Sequence, residues 1–121
     1  MSAGLVIGVG LIGGVGALAR FLLDGSVAAA IGRGFPFGTL AVNVSGSFVL
    51  GIFAGVALSA NAGELLGTGL IGSFTTFSTW AFESHRLAED GRLRLAALNF
   101  AVSLLLGLLA AWAGRGLGAA L

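Results

Sequence analysis

The run Gly72-Ser73-Phe74-Thr75-Thr76-Phe77-Ser78-Thr79-Trp80 gathers hydroxyl side chains in a stretch that carries no charge. With Thr68, six Ser and Thr residues fall between positions 65 and 82. A few hydroxyls in an apolar helix bond back to their own backbone and mean little. Here they follow Gly67, Gly69 and Gly72, which weaken the helix where Ser and Thr compete for its backbone bonds. Broken helices at membrane depth survive only where they are buried in protein or line a wet cavity, and such breaks commonly hold ions. The competing reading is a polar seam that glues helices together.

Other residues point the same way. Phe77 and Trp80 are three apart and share a helical face. An aromatic ring has a positive edge, so rings along a pore can face an anion without any ionised group. Ser78 and Thr79 place hydroxyl donors beside them. Asn43 brings two amide donors, with Thr39 and Ser47 one turn away on either side, and Asn99 with Ser103 repeats the polar pair near the C-terminus. No acid or lysine sits among these groups. Aligned neutral donors suit a small, strongly hydrated anion, whose lost water must be replaced by hydrogen bonds. They suit a proton-driven exchanger less, since that embeds a titratable acid. Arg20 is the one charge inside an apolar stretch, placed to snorkel to the interface or to hold positive potential at a pore mouth.

Two further patterns carry less. Gly8-Val9-Gly10-Leu11-Ile12-Gly13 matches a dinucleotide fingerprint, but seven apolar residues cannot supply the strand that must precede one. Packing glycines explain it better. His85 is the lone histidine, close to Glu83, Glu89 and Asp90, and reads as a solvated loop residue. No nucleophile, base and orienting group occur together, so the chain is not expected to be an enzyme.

The elements that must position these groups follow from where charge is missing. The chain of 121 residues is 57% hydrophobic and 9% charged, against about 25% charged in soluble domains. A soluble globule, a disordered tail and a nucleic-acid binder are thereby excluded. Residues 1–19, 34–63, 65–82 and 95–114 carry no charge, each close to the roughly 20 residues that cross a bilayer. The fold class is an all-α integral membrane protein of one domain, with helices over about 3–23, 37–58, 65–82 and 95–114 and the third broken near its middle. Gly25–Pro36, Ser59–Gly63 and the charged stretch Glu83–Arg94 are expected as connections. Ala17-Leu18-Ala19 resembles a cleavage site, but no basic region precedes it, so the first segment is expected to remain a span. The pairs Gly4/Gly8, Gly10/Gly14, Gly51/Gly55 and Gly63/Gly67 predict close helix contact, and four short helices that bury little predict oligomerisation. Arg20, Arg33, Arg86, Arg92 and Arg94 fall on one side and Arg115 on the other, which favours one orientation.

Three ordered sets carry a family resemblance. Gly13-Gly14-x-Gly16-Ala17-x-x-Arg20-Phe21 comes first, then Phe35-Pro36-Phe37-Gly38-Thr39-Leu40-x-Val42-Asn43-x-x-Gly46, then Gly69-x-x-Gly72-x-x-Thr75-Thr76-Phe77-Ser78-Thr79. Together they closely resemble the fluoride channels called Fluc or CrcB. The resemblance implies a passive fluoride-selective channel of the prokaryotic cell membrane that relieves fluoride toxicity and works as an antiparallel, dual-topology homodimer. It implies Asn43 as a pore amide, Phe77 as the first pore ring with Ser78 and Thr79 in a polar track, and Thr39, Glu83 and Ser103 as polar positions near the pore. Arg20 would be the vestibule arginine. Backbone carbonyls at Gly72 and Thr75 would hold a structural sodium ion at the dimer interface. Trp80 stands where the family has a second pore phenylalanine, and Asn99 where a tyrosine is common. The alternatives are a small four-helix multidrug-type exporter, for which helix 1 lacks the embedded glutamate, and a non-transporting membrane scaffold.

Overall fold

The computed structural model describes residues 1–121, all helix and short connection with no strand. Helix α1 spans Ala3–Ile31, α2 Phe37–Val56 and α6 Leu93–Ala120. These three are long and apolar enough to cross a membrane, with mean hydropathies of 2.0, 1.7 and 2.1. Between α2 and α6 the chain is helical in pieces: α3 (Ala60–Ala62), a π-helical stretch (Gly63–Ile71), α4 (Gly72–Phe74) and α5 (Phe77–Glu89). Nine residues is long for a π-helix, which is mostly found as a single turn near functional sites. Its three glycines make this wider winding sterically available.

Several boundaries differ from those the charge pattern predicts. Helix α1 continues past Leu23 to Ile31, because Val27–Ile31 holds no breaker before Gly32, at φ 93°; within this extension Ser26 donates its hydroxyl to Leu22 O at 2.7 Å. It starts on a Ser2 cap, whose Oγ accepts from Leu5 N. Helix α2 stops at Val56 rather than Leu58, where Ala57 turns left-handed. The expected turn Ser59–Gly63 shrinks, since Ser59 caps a new helix by accepting from Ala62 N at 3.3 Å. The charged stretch Glu83–Arg94 is mostly helical. Only Asp90–Arg92 separate α5 from α6, with Gly91 at φ 75° making the turn. Charge does not stop a helix when polar and apolar residues alternate by face, and on α5 Leu87 turns inward while His85 reaches Glu89 one turn on at 2.7 Å.

Close backbone contact holds the helices. The most extensive pairing is α2 with α6. Added methyls on Gly51 and Gly55 of α2 would strike the α6 backbone at Ala111 and Arg115, and on Gly114 and Gly118 of α6 the α2 backbone at Phe48 and Ile52. Elsewhere Gly16 of α1 lies against Leu70 O, and Gly13 against Ser73. Gly8 and Gly13 therefore sit in a helix seam, with no strand ahead of them. Val42 and Asn99 are the only large side chains fully buried, and 14 of 121 residues are buried at all. The apolar faces point outward, as lipid allows and water does not.

The seam makes a testable contrast. Gly114→Val must force α2 and α6 apart, at a cost of about 1–3 kcal/mol or more. Gly116 has open space on all sides, and Gly116→Ala is expected to unfold at or above the wild-type temperature. Thermal unfolding of both variants in detergent checks the pair.

Candidate functional site

At Thr75 and Thr76 the chain leaves the helix. Thr75 sits at φ −81°, ψ 158° and Thr76 at φ −146°, ψ 116°, both extended. Thr75 N–H still bonds to Ile71 O at 2.9 Å, but the N–H and C=O of Thr76 leave the helical ladder and need other partners. Asn43 of α2 meets the need. Its Nδ2 donates to Thr76 O at 2.9 Å, and its Oδ1 accepts from Thr76 N at 2.8 Å. One side-chain amide thus pairs with one residue's backbone as a neighbouring strand would. The approach is possible because Gly46, one turn on, leaves room for Thr75 and Phe74.

Thr76 does more than accept this clamp. Its Oγ1 accepts from Thr79 N at 3.2 Å, capping α5, and lies 3.1 Å from Thr79 Oγ1 and 3.3 Å from Ser78 Oγ. In a continuous helix the Thr76 N–H would bond to Gly72 O. Asn43 takes it instead, so the Gly72 carbonyl is without its α-helical donor. Sequence reasoning singled out Asn43 but passed over Thr76, although a threonine three residues before Thr79, after a glycine-weakened helix, has the pattern of a cap.

Two cavities meet at Thr76. The larger, about 340 Å³, holds Asn43, Ser47, Phe77, Trp80 and Ser103 among apolar walls that include Leu50 and Leu104. No charged side chain lines it. Phe77 and Trp80 meet edge to face, with centroids 5.2 Å apart at 74°, and Trp80 stacks on Phe100 at 4.9 Å. Phe77 is 74% exposed, so this cavity opens at the surface of the chain. The smaller cavity, about 130 Å³, brings together Arg20, Asp24, Thr39 and Thr79 on the other side of Thr76. Asp24 forms its ion pair with Arg33, at 3.9 Å, and not with Arg20, although both Asp24 and Arg20 line this cavity.

A third cavity, about 180 Å³, holds Arg33, Glu83, Arg86 and Arg92 at the charged end. Glu83 lies beyond the apolar stretch 65–82, and its Oε1 is buried without a partner. Burial pushes its carboxyl above the usual carboxylate range, with nearby Asp24 adding to this and the Thr39 hydroxyl, Arg33 and Arg86 drawing it back. Of the residues singled out in the sequence, Asn43, Phe77, Trp80 and Ser103 share one cavity, Arg20, Thr39 and Thr79 the second, and Glu83 the third. Ser78 is exposed on α5 and lines none of them.

Comparison with known proteins bears on this arrangement. Residues 7–115 match the family model described as CrcB-like protein, Camphor Resistance (CrcB). The chain is similar to the Fluoride-specific ion channel FluC 2 of Mycobacterium tuberculosis (strain ATCC 25618 / H37Rv), with 50% identity over 115 residues covering 95% of this chain and 91% of that one. It is also similar to the Fluoride-specific ion channel FluC of Geobacter sulfurreducens, with 45% identity over 114 residues, 90% of this chain and 92% of the relative.

Asn43→Leu removes both partners from a residue only 8% exposed. With two backbone groups left unpaired, the protein is expected to lose roughly 2–5 kcal/mol of stability. Thermal unfolding in detergent, compared with Ser45→Ala at an exposed α2 position, measures it.

Proposed function

The chain belongs to the CrcB family, and on that premise we propose that it is a passive channel selective for fluoride. It is a multi-pass protein of the cell membrane, and its family is one of ion channels rather than enzymes. The observation that carries the reading is the uncharged cavity at the helix break, which adjoins a second cavity holding the Arg20 cation.

Fluoride is small and holds its water tightly, so a pore must repay dehydration with donors at close range. Arg20 would raise the local anion concentration in the vestibule. The free N–H of the Asn43 amide, the hydroxyls of Thr39, Thr79 and Ser103 and the ring edges of Phe77 and Trp80 would then replace water in turn, with Ser78 beside them. Glu83 would stand at the charged mouth. An inside-negative membrane drives an anion outward by about 2.3 kcal/mol per 100 mV. Export would need neither nucleotide nor proton coupling and would relieve the toxicity of the ion.

One subunit leaves the large cavity open beside Phe77. A second copy in antiparallel orientation would close it. Gly72 and Thr75 would then hold a sodium ion through backbone carbonyls at the dimer interface. The Gly72 carbonyl has lost its helical donor, and a hard cation takes such oxygens. The ion would supply fixed positive charge between subunits and no chemistry.

In proteoliposomes the protein is expected to pass fluoride at least about ten times faster than chloride. An ion-selective electrode recording both anions checks this, and equal fluxes would overturn it. Phe77→Ile and Asn43→Asp are each expected to reduce fluoride efflux by about ten-fold or more. Wild-type efflux from both would remove these residues from the pore.

A further inference from the structure

Asn99 of α6 is 1% exposed, the most deeply buried polar side chain in the protein. Its Nδ2 donates to Ser84 Oγ at 2.8 Å. Ser84 Oγ donates to Trp80 O at 3.0 Å, and the Trp80 indole N–H donates to Asn99 O at 3.2 Å. These bonds close a ring between α5 and α6. Ser103, one turn along α6, directs its hydroxyl to Asn99 Oδ1 at 3.3 Å.

The direction of that last bond has a physical cause. A helical serine usually gives its proton to the carbonyl four residues back. For Ser103 that carbonyl belongs to Asn99, and it already serves the helical ladder and the Trp80 indole. The hydroxyl turns to the Asn99 side chain instead. At 3.3 Å the bond is longer than the 2.5–3.0 Å typical of O–H···O pairs, so it is weak. Ser103 and Trp80 both line the uncharged cavity. An anion there would be a far stronger acceptor for the Ser103 proton than a neutral amide oxygen.

We propose that Asn99, backed by Ser84, is a positioning residue of the anion path. Its main-chain carbonyl ties the Trp80 ring to α6, and its side chain holds the Ser103 proton on an acceptor weak enough to surrender it to an anion in the cavity. Trp80 and Asn99 therefore act as a unit. Without the indole N–H, the Asn99 carbonyl becomes free to take the Ser103 proton, and the Asn99 side chain loses its role. The ring bonded to the Asn99 main-chain carbonyl is the one that stacks on Phe100 and meets Phe77 edge to face. This role rests on the fluoride-channel reading above, while the ring's anchoring can be followed without it.

The test uses a Trp112→Phe background, which leaves Trp80 as the single indole and changes a residue 76% exposed on α6. Fluoride and chloride efflux and indole emission are recorded for Asn99→Leu, Trp80→Phe, the double variant and Ser84→Ala. Asn99→Leu keeps the indole's bond to the main-chain carbonyl but leaves Ser84 and Ser103 without the side-chain amide. It is therefore expected to lower fluoride efflux about ten-fold and, through Ser84 and the Trp80 carbonyl, to shift the Trp80 emission. In the Trp80→Phe background the same change is expected to have a clearly smaller effect, a coupling that independent sites do not show. Ser84→Ala removes one hydroxyl behind Asn99 and carries the test if Asn99→Leu fails to fold. It is expected to shift the emission and to lower fluoride efflux. Unchanged efflux and emission in Ser84→Ala, or fully additive losses in the double variant, would overturn the proposal. A background protein that passes no fluoride would instead overturn the channel reading, and the anion role with it, while the emission shifts still report on the ring's anchoring.

Discussion

Hydrocarbon offers no hydrogen bonds, so every peptide group that leaves a helix inside the membrane must find its partner in the protein. This constraint organises the centre of the molecule. The extended residues Thr75 and Thr76 are tolerated because Asn43 answers both polar groups of Thr76, and because the Thr76 hydroxyl caps the helix that follows. Asn43 can reach only if α2 passes close to the break, which Gly46 permits. Helix α1 can flank the same segment only because Gly13 and Gly16 lack side chains. The glycines are thus the means by which a polar break is kept satisfied in lipid.

Charge is segregated with the same economy. The large cavity at the break holds only neutral groups, and the cation of α1, Arg20, lies in a different cavity across Thr76. Asp24, which could have neutralised Arg20 one turn along α1, pairs with Arg33 instead. A cation near a cavity raises the local concentration of anions, whereas neutral groups leave the larger cavity without fixed charge.

The places where sequence reasoning stopped short share a cause. Helix α1 was expected to end at Leu23, since Asp24 and Gly25 look like an exit from an apolar span; the fold uses Asp24 against Gly38 at the start of α2 and keeps the helix going. The stretch Glu83–Arg94 looks like a loop by charge, yet Leu87 and the face it lies on make most of it helical. Thr76 is one of six hydroxyls in its stretch, and its neighbours mark it at most as a helix cap, not as the residue that α2 must clamp. Its importance comes from Asn43, thirty-three positions earlier.

Sequence alone determined the class of molecule, three of the four expected apolar spans and the close contact at Gly51 and Gly55, whereas Gly4, Gly10, Gly14 and Gly63 meet no neighbouring helix. The class and the spans depend on composition and local spacing, because transfer to lipid and helix propensity act residue by residue. Tertiary structure alone decided that Asn43 is spent on Thr76 and that Arg20 faces Thr39 and Thr79 rather than Phe77. It also decided that Trp80, Ser84, Asn99 and Ser103 close into one hydrogen-bonded group. A hydrogen bond is satisfied by whichever partner lies within about 3 Å in the right direction, and that partner is chosen by how the helices pack.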